Sequence, residues 1–273
     1  MNNVPDEPAG LEHVPREMGR TIFGMDPAGY HHGRADYPEA VFSKIFERAE
    51  GHWLSLLEIG AGTGIATARL LHPRVDRLTA LEPDPALARF LRSEVLDPRL
   101  RIEIATFEDA ALTANNFDLI ACASAFHWLD QQKALGRIHN LLHPGGTLAI
   151  WWNAYRQPNS GDAFADAVIP LLAGLALPPS EAKGSHYSLE VDARKSELEA
   201  GGLIDIDVSI IRRERLLTSD QILGLYGSYS FVRALPAPQR EKLLVDIEMI
   251  AERDFGGRVP NIVHTALYMA TRA

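Results

Sequence analysis

Glycines and a carboxylate alternate in the segment Glu58-x-Gly60-x-Gly62-x-Gly64. The apolar run 54–59 that leads into it is typical of a strand buried on both faces, and apolar residues at helical spacing follow it. A strand, a glycine turn and a helix in this order bring backbone N–H groups and a helix N-terminus to one point. Because glycine has no side chain, a ligand can lie directly on the backbone there. The segment therefore predicts a ligand site at the end of a strand.

A second carboxylate, Glu82, ends the next predicted strand, 77–81. An acidic group at this place can accept hydrogen bonds from both ribose hydroxyls of a nucleoside. The alternative is an ordinary strand-end carboxylate in water. A nicotinamide-dependent oxidoreductase is a weaker alternative, because the dinucleotide fingerprint has a glycine where this chain has Ile65.

The residues after the third predicted strand, 100–105, include Thr106, Phe107 and Glu108 and are expected to lie beside the base of a bound nucleoside. An apolar residue there can pack on the ring, and backbone or carboxylate groups can meet an exocyclic amine. Glu108 and Asp109 also suit the capping of a helix, and both roles are compatible.

A fourth group of candidates follows the strand predicted at 117–123. The carboxyl ends of parallel strands line a crevice, and the small residues Ser124 and Ala125 leave room in it. His127 is a candidate general base or a structural hydrogen-bonding group, and Trp128 is expected to form a wall of the pocket.

The elements that must position these residues alternate between strand and helix, which predicts an α/β fold with parallel strands and helices on both faces. A helix is expected to begin at Pro38, and Asp84 is expected to cap another. The predicted strands are 54–59, 77–81, 100–105, 117–123, 147–152, 203–217 and 262–269, and the predicted helices are 38–51, 64–71, 84–91, 131–142, 163–175, 193–201, 219–235 and 238–255.

The composition of the 273-residue chain predicts an ordinary globular protein, with 46% hydrophobic and 23% charged residues. The net charge of −9 argues against a nucleic-acid partner. The chain has one cysteine, Cys122, and its N-terminal region lacks the apolar core of a signal peptide. We therefore expect a cytoplasmic location and no membrane span. We expect a flexible N-terminus over 1–20 and a single domain over 21–273, with cap insertions at about 153–190 and 219–258.

Several motifs in order along the chain resemble the class I S-adenosylmethionine (SAM) dependent methyltransferases. They are the glycine motif, Glu82, Phe107-Glu108, Phe117-Asp118 and His143-Pro144-Gly145-Gly146. Within this class the chain resembles the small-molecule branch of UbiE-like, trans-aconitate-methyltransferase-like and "type 11" enzymes. The more specific matches are Tyr30-x-x-x-Arg34-x-x-Tyr37-Pro38 and Phe126-His127-Trp128. The family's Glu-Asp-Leu-Pro after strand three is Glu108-Asp109-Ala110-Ala111 here.

The resemblance implies a Rossmann-like, doubly wound, seven-stranded sheet whose antiparallel seventh strand lies between strands five and six. It implies S-adenosyl-L-methionine as cofactor, S-adenosyl-L-homocysteine as product and no metal. Tyr30 and Arg34 would approach the methionine carboxylate, although a packed loop is the alternative. The implied cofactor contacts are Tyr30, Arg34, Glu58, Gly60, Ala61, Gly62, Thr63, Glu82, Pro83, Thr106, Phe107, Glu108, Ser124 and Ala125. The implied acceptor pocket contains His31, Trp128 and Tyr155.

The activity expected from the resemblance is methyl transfer to an O, N or C nucleophile of a small molecule. A base is needed only if that nucleophile arrives protonated, and His127 is the first candidate, followed by His31 or His32. A carboxylate acceptor would need no base, and Arg156 or Arg233 could anchor it. The alternatives are a protein or RNA acceptor and a non-catalytic SAM-binding protein. A monomer or homodimer is expected.

Overall fold

The computed structural model describes residues 14–49, 51, 54–157, 159–181 and 185–273. Its strands form one mixed sheet. They are β1 (Leu54–Ile59), β2 (Val75–Leu81), β3 (Leu100–Glu103), β4 (Phe117–Ala123), β5 (Leu142–Tyr155), β6 (Leu203–Thr218) and β7 (Arg258–Arg272).

The helices flank this sheet or lie beyond the carboxyl ends of its strands. They are α1 (Arg16–Thr21), α2 (Pro27–Gly33), α3 (Glu39–Arg48), α4 (Thr67–Leu70), α5 (Pro85–Glu94), α6 (Gln131–Leu141), α7 (Ala163–Val168), α8 (Val191–Ala200), α9 (Ser219–Gly227), α10 (Ser230–Arg233) and α11 (Ala237–Phe255).

The strand order in the sheet is β3-β2-β1-β4-β5-β7-β6. Strands β1 to β5 are parallel, and β7 is antiparallel to both of its neighbours, β5 and β6. The chain crosses from one half of the sheet to the other between β3 and β4, so the connections after β1 and β4 leave in opposite directions. This arrangement opens a crevice at their carboxyl ends. The seven-stranded, doubly wound fold with an antiparallel last strand is confirmed.

Strand β1 lies at the centre of the core, and all six of its residues are buried. Its side chains alternate between the two faces of the sheet. Leu57 and Ile59 pack in one apolar cluster, and Leu54 and Leu56 pack in the other. Burial on both faces explains why the sequence shows a continuous apolar run here.

Several predicted element bounds differ from the structure. The helix predicted at 64–71 is reduced to α4, because Gly64 has a φ of 90°, which no residue of an α-helix can adopt. Strand β5 extends to Tyr155, beyond the predicted end at residue 152, because β7 pairs with it as far as Val263. The helix predicted at 219–235 is divided into α9 and α10.

The N-terminal part of the chain is more regular than the sequence predicted. Residues 1–13 of the predicted flexible segment lie outside the described residues, and the remainder includes helix α1. Helix α2 follows within a segment for which no regular structure was predicted. It begins at Pro27, and the Asp26 carboxylate accepts a hydrogen bond of 2.9 Å from the Gly29 N–H.

A third apolar cluster joins the helices that follow β5 and β6. It includes Tyr155 from β5, Phe164 from α7, Tyr226 from α9 and Ile247 from α11. We call these helices, together with residues 169–181 and 185–190, the cap. Among the described helices, none has both the length and the apolar character that crossing a bilayer requires.

Candidate active site

The crevice begins at the glycine turn after β1. Gly60 and Gly62 have φ values of 70° and 59°, in the left-handed region. A Cβ at Gly60 would lie 2.6 Å from the Cβ of Ala125, whereas a Cβ placed on Gly62 would meet no described residue within 4 Å apart from its neighbours in sequence. The N–H groups of Gly60 and Ala61 donate to the Leu81 carbonyl at 2.9 and 3.0 Å, which ties the turn to β2. The turn therefore presents peptide groups to the crevice without side chains.

Glu82 lies opposite this turn and is only 4% exposed. Its Oε2 accepts a hydrogen bond of 2.8 Å from the Gly62 N–H, and its Oε1 accepts one of 2.8 Å from the Asp84 N–H. Burial raises the pKa of Glu82 to about 7, and the two N–H donors offset part of that increase. Each oxygen keeps acceptor capacity. The ionised side chain can therefore accept hydrogen bonds from two adjacent hydroxyls of a ligand.

Three predicted cofactor contacts lie beneath the turn rather than on the wall of the crevice. Glu58, Ala61 and Thr63 are all buried. The Thr67 hydroxyl donates to Glu58 Oε2 at 2.6 Å, and burial raises the pKa of Glu58 to about 8. These side chains support the turn from below, and a direct contact with the cofactor remains a prediction.

The turn after β3 closes the far end of the crevice. The Thr106 hydroxyl donates to Asp109 Oδ2 at 2.7 Å. Arg137 donates from Nη1 to the Glu108 carbonyl at 2.9 Å, and its guanidinium lies 5.1 Å from the centre of the Phe107 ring. These contacts fix a small, partly apolar recess of the kind that accepts a planar base.

Most of the predicted cofactor residues line the crevice. They are Tyr30, Gly60, Gly62, Glu82, Pro83, Thr106, Phe107, Glu108, Ser124 and Ala125, and Trp128 of the predicted acceptor pocket lies with them. The open peptide surface at Gly62, the buried carboxyl group of Glu82 and the recess at Phe107 together fit an adenosyl group.

A second cavity, which we call the inner cavity, adjoins the crevice beneath the cap. The two cavities share Phe23, Tyr30, Ser124 and Trp128. Ser124 has a φ of 52°, and its hydroxyl oxygen accepts a hydrogen bond of 3.0 Å from Tyr37. A non-glycine residue in the left-handed region is strained, and such strain is concentrated at functional sites.

His127 lines the inner cavity, and Trp152 determines its tautomer. The indole Nε1–H of Trp152 donates to Nδ1 of His127 at 3.1 Å. An indole nitrogen can only donate, so Nδ1 must be unprotonated, and the neutral ring carries its proton on Nε2. In this tautomer His127 is a hydrogen-bond donor at Nε2. The geometry therefore disfavours the predicted role of general base.

His186 also lines the inner cavity, and sequence reasoning did not identify it. Its Nδ1 accepts a hydrogen bond of 3.2 Å from the Ser188 N–H, so this ring too carries its proton on Nε2. Burial lowers the pKa of His186 to about 4, so the ring is neutral at pH 7. Its backbone N–H donates to Gln157 Oε1 at 3.0 Å, which holds the residue against the end of β5.

Arg34 lies on the wall of the inner cavity, beside Tyr155, and does not line the crevice. It donates from Nη2 to the Ser228 carbonyl at 3.0 Å, and its guanidinium lies 4.9 Å from the centre of the Tyr229 ring. Among the described residues, no carboxylate forms an ion pair with Arg34. The predicted contact of Arg34 with the methionine carboxylate remains a prediction.

His31, which was predicted for the acceptor pocket, lies outside the lining of both cavities. His31 follows Tyr30 on α2, where successive side chains point about 100° apart. Its ring lies 5.3 Å from that of Phe90 on α5, and it lines a surface groove beside Gly64. Tyr30 faces the two cavities, and His31 faces the outer side of the glycine turn.

The two arginines predicted as carboxylate anchors are engaged elsewhere. Arg156 forms an ion pair of 2.5 Å with Glu181, and its guanidinium lies 4.2 Å from the centre of the Tyr229 ring. Arg233 donates to the Asp26 carbonyl at 3.2 Å and lines a separate groove on the surface. Among the described residues that line the inner cavity, Arg34 is the cation.

Comparison with known proteins agrees with this geometry. A family model described as a methyltransferase domain (Methyltransf_11) matches residues 57–150. The chain is 25% identical over 235 residues to an uncharacterized methyltransferase, C25B8.09, of Schizosaccharomyces pombe, covering 85% of this chain and 88% of that protein.

Two solved structures share the fold. A candidate type II methyltransferase from Anaeromyxobacter dehalogenans superposes with a TM-score of 0.64 at 21% identity, over 87% of this chain and 97% of that one. Phosphoethanolamine N-methyltransferase 2 of Haemonchus contortus, in complex with phosphomonomethylethanolamine and S-adenosylhomocysteine, superposes with a TM-score of 0.53 at 13% identity, over 92% of this chain and 56% of that one.

The chain contains a methyltransferase domain over residues 57–150, and the relatives and solved structures that it resembles are methyltransferases. It is an enzyme of the transferase class with SAM as its cofactor, as the sequence motifs predicted. Among the described residues, no group of His, Cys, Asp or Glu side chains could hold a metal ion.

Proposed function

We propose that this enzyme binds SAM in the crevice and methylates a small molecule held in the inner cavity. The observation that supports this most directly is that the two cavities share Phe23, Tyr30, Ser124 and Trp128. The inner cavity is narrow, with a volume of about 60 Å³.

The residues at this junction orient the two reactants. Bound SAM supplies a methyl group that is already activated by a positively charged sulfonium. The ring faces of Tyr30 and Trp128 are suited to a neighbouring cation. Together with Phe23 they exclude water from the junction, and the cavity walls hold the nucleophile in line with the methyl group.

The inner cavity favours an acceptor that arrives already deprotonated. His127 and His186 both hold their proton on Nε2 and are donors there, as the contacts of their Nδ1 atoms require. Glu181, the carboxylate on the same wall, is paired with Arg156. Among the described residues that line the cavity, none is placed as a free base.

A carboxylate therefore suits the inner cavity best. Its charge would be balanced by Arg34, and the Nε2–H of His186 would donate a hydrogen bond to one of its oxygens. A carboxylate oxygen bonds to the methyl carbon while the carbon–sulfur bond breaks, and the electron pair of that bond remains on sulfur. The products are a methyl ester and S-adenosylhomocysteine, and no proton is released.

Calorimetry with SAM, S-adenosylhomocysteine and NAD tests the cofactor assignment. We expect the first two to bind and NAD not to bind. Methyl transfer from radiolabelled SAM to hexanoic acid, hexylamine, phenol, bulk tRNA and protein then tests the acceptor. We expect turnover of the acid. Tight binding of NAD without SAM, or turnover of tRNA or protein alone, would contradict the proposal.

The variant Arg34→Gln separates the two roles open to that residue. We expect the KM for hexanoic acid to rise about tenfold or more, because a charge-assisted hydrogen bond is lost, and the KM for SAM to stay nearly constant. Arg101→Gln, which removes an exposed arginine of β3, is the control. A rise confined to the KM for SAM would assign Arg34 to the methionine carboxylate instead.

A further inference from the structure

Strand β6 forms one edge of the sheet, and among the described residues only β7 pairs with it. In an antiparallel pair, alternate residues direct their N–H and C=O groups away from the partner strand. No backbone–backbone hydrogen bond joins residues 206–216 to a described residue outside the sheet, and none of these residues is buried. The outer side of β6 therefore presents unpaired backbone groups, the kind of edge to which another strand can bind.

The acidic and basic side chains of β6 are separated along the strand. Asp205 and Asp207 lie in its first half, whereas Arg213 and Arg215 lie in its second half. Among the described residues, none of these four side chains forms an ion pair. A strand with acids toward one end and arginines toward the other is complementary to a second copy of itself only when the two copies run antiparallel.

One antiparallel register satisfies both pairs of charges. A two-fold axis places one residue opposite its own copy, and when that residue is Ile210, Asp207 lies opposite the partner's Arg213. The symmetry makes this ion pair twice, and it brings Asp205 and Arg215 together at the two ends of the paired stretch. A shift of two residues in either direction leaves one acid and one arginine of each strand unmatched.

The other residues of β6 are compatible with this register. Ile210 is 46% exposed, and its two copies would cover each other on the axis, as β-branched residues do in cross-strand pairs. Arg212 and Glu214 form an ion pair within the chain and add no net charge. Asp205 has a φ of 50° and lies at a register shift between β6 and β7, so regular pairing would end beside it.

We propose that two copies of this chain form a symmetric dimer through β6, with the strands antiparallel and Ile210 on the two-fold axis. The two seven-stranded sheets then form one continuous sheet, held by backbone hydrogen bonds and by the ion pairs of Asp207 with the partner's Arg213. The inference does not depend on the proposed function, because β6 lines neither the crevice nor the inner cavity.

A cysteine at the axis tests the register. Residues opposite each other in antiparallel strands have Cα atoms about 4.5–5.5 Å apart, which a disulfide can span. We expect Ile210→Cys to form a covalent dimer on mild oxidation, seen by non-reducing electrophoresis. Val245→Cys on α11 is the matched control, since Val245 is 52% exposed and the native Cys122 is buried. Equal cross-linking of the two variants, or none at residue 210, would overturn the proposal.

Reversal of the charges tests the ion pairs. We expect sedimentation equilibrium to show dimerisation of the wild type, and a dissociation constant raised about tenfold or more in Asp207→Arg and in Arg213→Glu, because like charges then face each other. Glu248→Arg, which changes an exposed acid of α11, is the control and should dimerise like the wild type.

A mixture of the two charge variants separates loss of pairing from loss of folding. In a heterodimer of Asp207→Arg with Arg213→Glu, opposite charges face each other at both positions, so we expect the equimolar mixture to dimerise nearly as well as the wild type. A misfolded variant could not restore this association. A wild type that stays monomeric, or a mixture no more dimeric than its separate components, would refute the β6 dimer.

Discussion

Glu82 combines near-complete burial with two backbone hydrogen bonds, and this combination makes its charge depend on pH. Its pKa of about 7 lies well above the ordinary value of 4.5, because burial disfavours the ionised form. Below that pH the side chain is protonated and is a weaker acceptor for ribose hydroxyls. Cofactor binding should therefore be coupled to the loss of a proton.

We expect Glu82→Gln to weaken SAM binding by about 1–3 kcal/mol at pH 8, because the hydroxyls lose a charged acceptor. In the wild type the affinity should rise from about pH 6 to about pH 8, as Glu82 ionises, and the variant should lose most of that rise. Calorimetry in buffers of different ionisation enthalpy measures both quantities. Glu47→Gln, an exposed change on α3, is the control, and an unaltered pH dependence in Glu82→Gln would refute the ribose role.

His127 and His186 show which features of the site the sequence could predict and which it could not. The position of His127 after β4 could be predicted, because it follows a strand end. Its tautomer could not be predicted, because the deciding partner, Trp152, comes from the next strand of the sheet. His186 lies in no motif, and only its contacts with Ser188 and Gln157 place it at the cavity.

Helix α2 places Tyr30 at the junction of the crevice and the inner cavity, and Arg34 follows directly after the helix. The position of α2 is determined by its close contact with α9. A Cβ on Gly33 would overlap the carbonyl oxygen of Gly224 on α9. These backbones therefore pack directly against each other, with no side chain between them.

We expect Gly33→Ala to lower the free energy of unfolding by about 1–3 kcal/mol, as overpacking does in other cores, and to weaken SAM binding by moving α2. Gly136→Ala in α6 is the matched control, because a Cβ placed there would meet no described residue within 4 Å outside the backbone of its own helix. That variant should be neutral or slightly stabilising, since alanine favours a helix. Urea denaturation measures both variants, and equal stabilities would contradict the packing argument.

The elements differ in how well the sequence predicted them. Strand β1 and the cap of α5 by Asp84 are confirmed, because a local apolar run and a capping residue determine them. Helix α2 was missed, although Asp26-Pro27 is a recognisable start signal, with a capping carboxylate before a proline. The bounds of β5 could not be predicted, because its length depends on pairing with β7, far away in the sequence.

For the whole molecule, two buried carboxyl groups affect the stability of the ligand-free fold. Glu58 and Glu82 both have pKa values raised by burial, to about 8 and about 7, and the charge of Glu82 raises the pKa of Glu58 further. A carboxyl group whose pKa is higher in the folded than in the unfolded state contributes fully to the free energy of unfolding below about pH 4.5. That contribution is lost as the pH rises through the folded-state pKa. The ligand-free enzyme should therefore lose stability from about pH 5 to about pH 8.

Glu58→Gln tests this coupling, because glutamine can still accept the hydrogen bond from Thr67 but cannot ionise. We expect the variant to be more stable than the wild type by about 1–3 kcal/mol at pH 8 and close to it at pH 5. Urea unfolding of the ligand-free protein at the two pH values measures the difference. An equal difference at both pH values would show that ionisation of Glu58 is not the cause.

The N-terminal segment runs across the opening of the crevice. A Cβ on Gly19 would overlap the Trp128 ring, one on Gly24 would overlap the Asp84 carboxylate, and the Val14 N–H donates to the Leu177 carbonyl at 3.1 Å. Gly19 and Phe23 of this segment line the crevice, so a cofactor bound there is covered by the segment on this side. If product release requires the segment to move, the rate of that movement limits turnover even when the chemical step is faster.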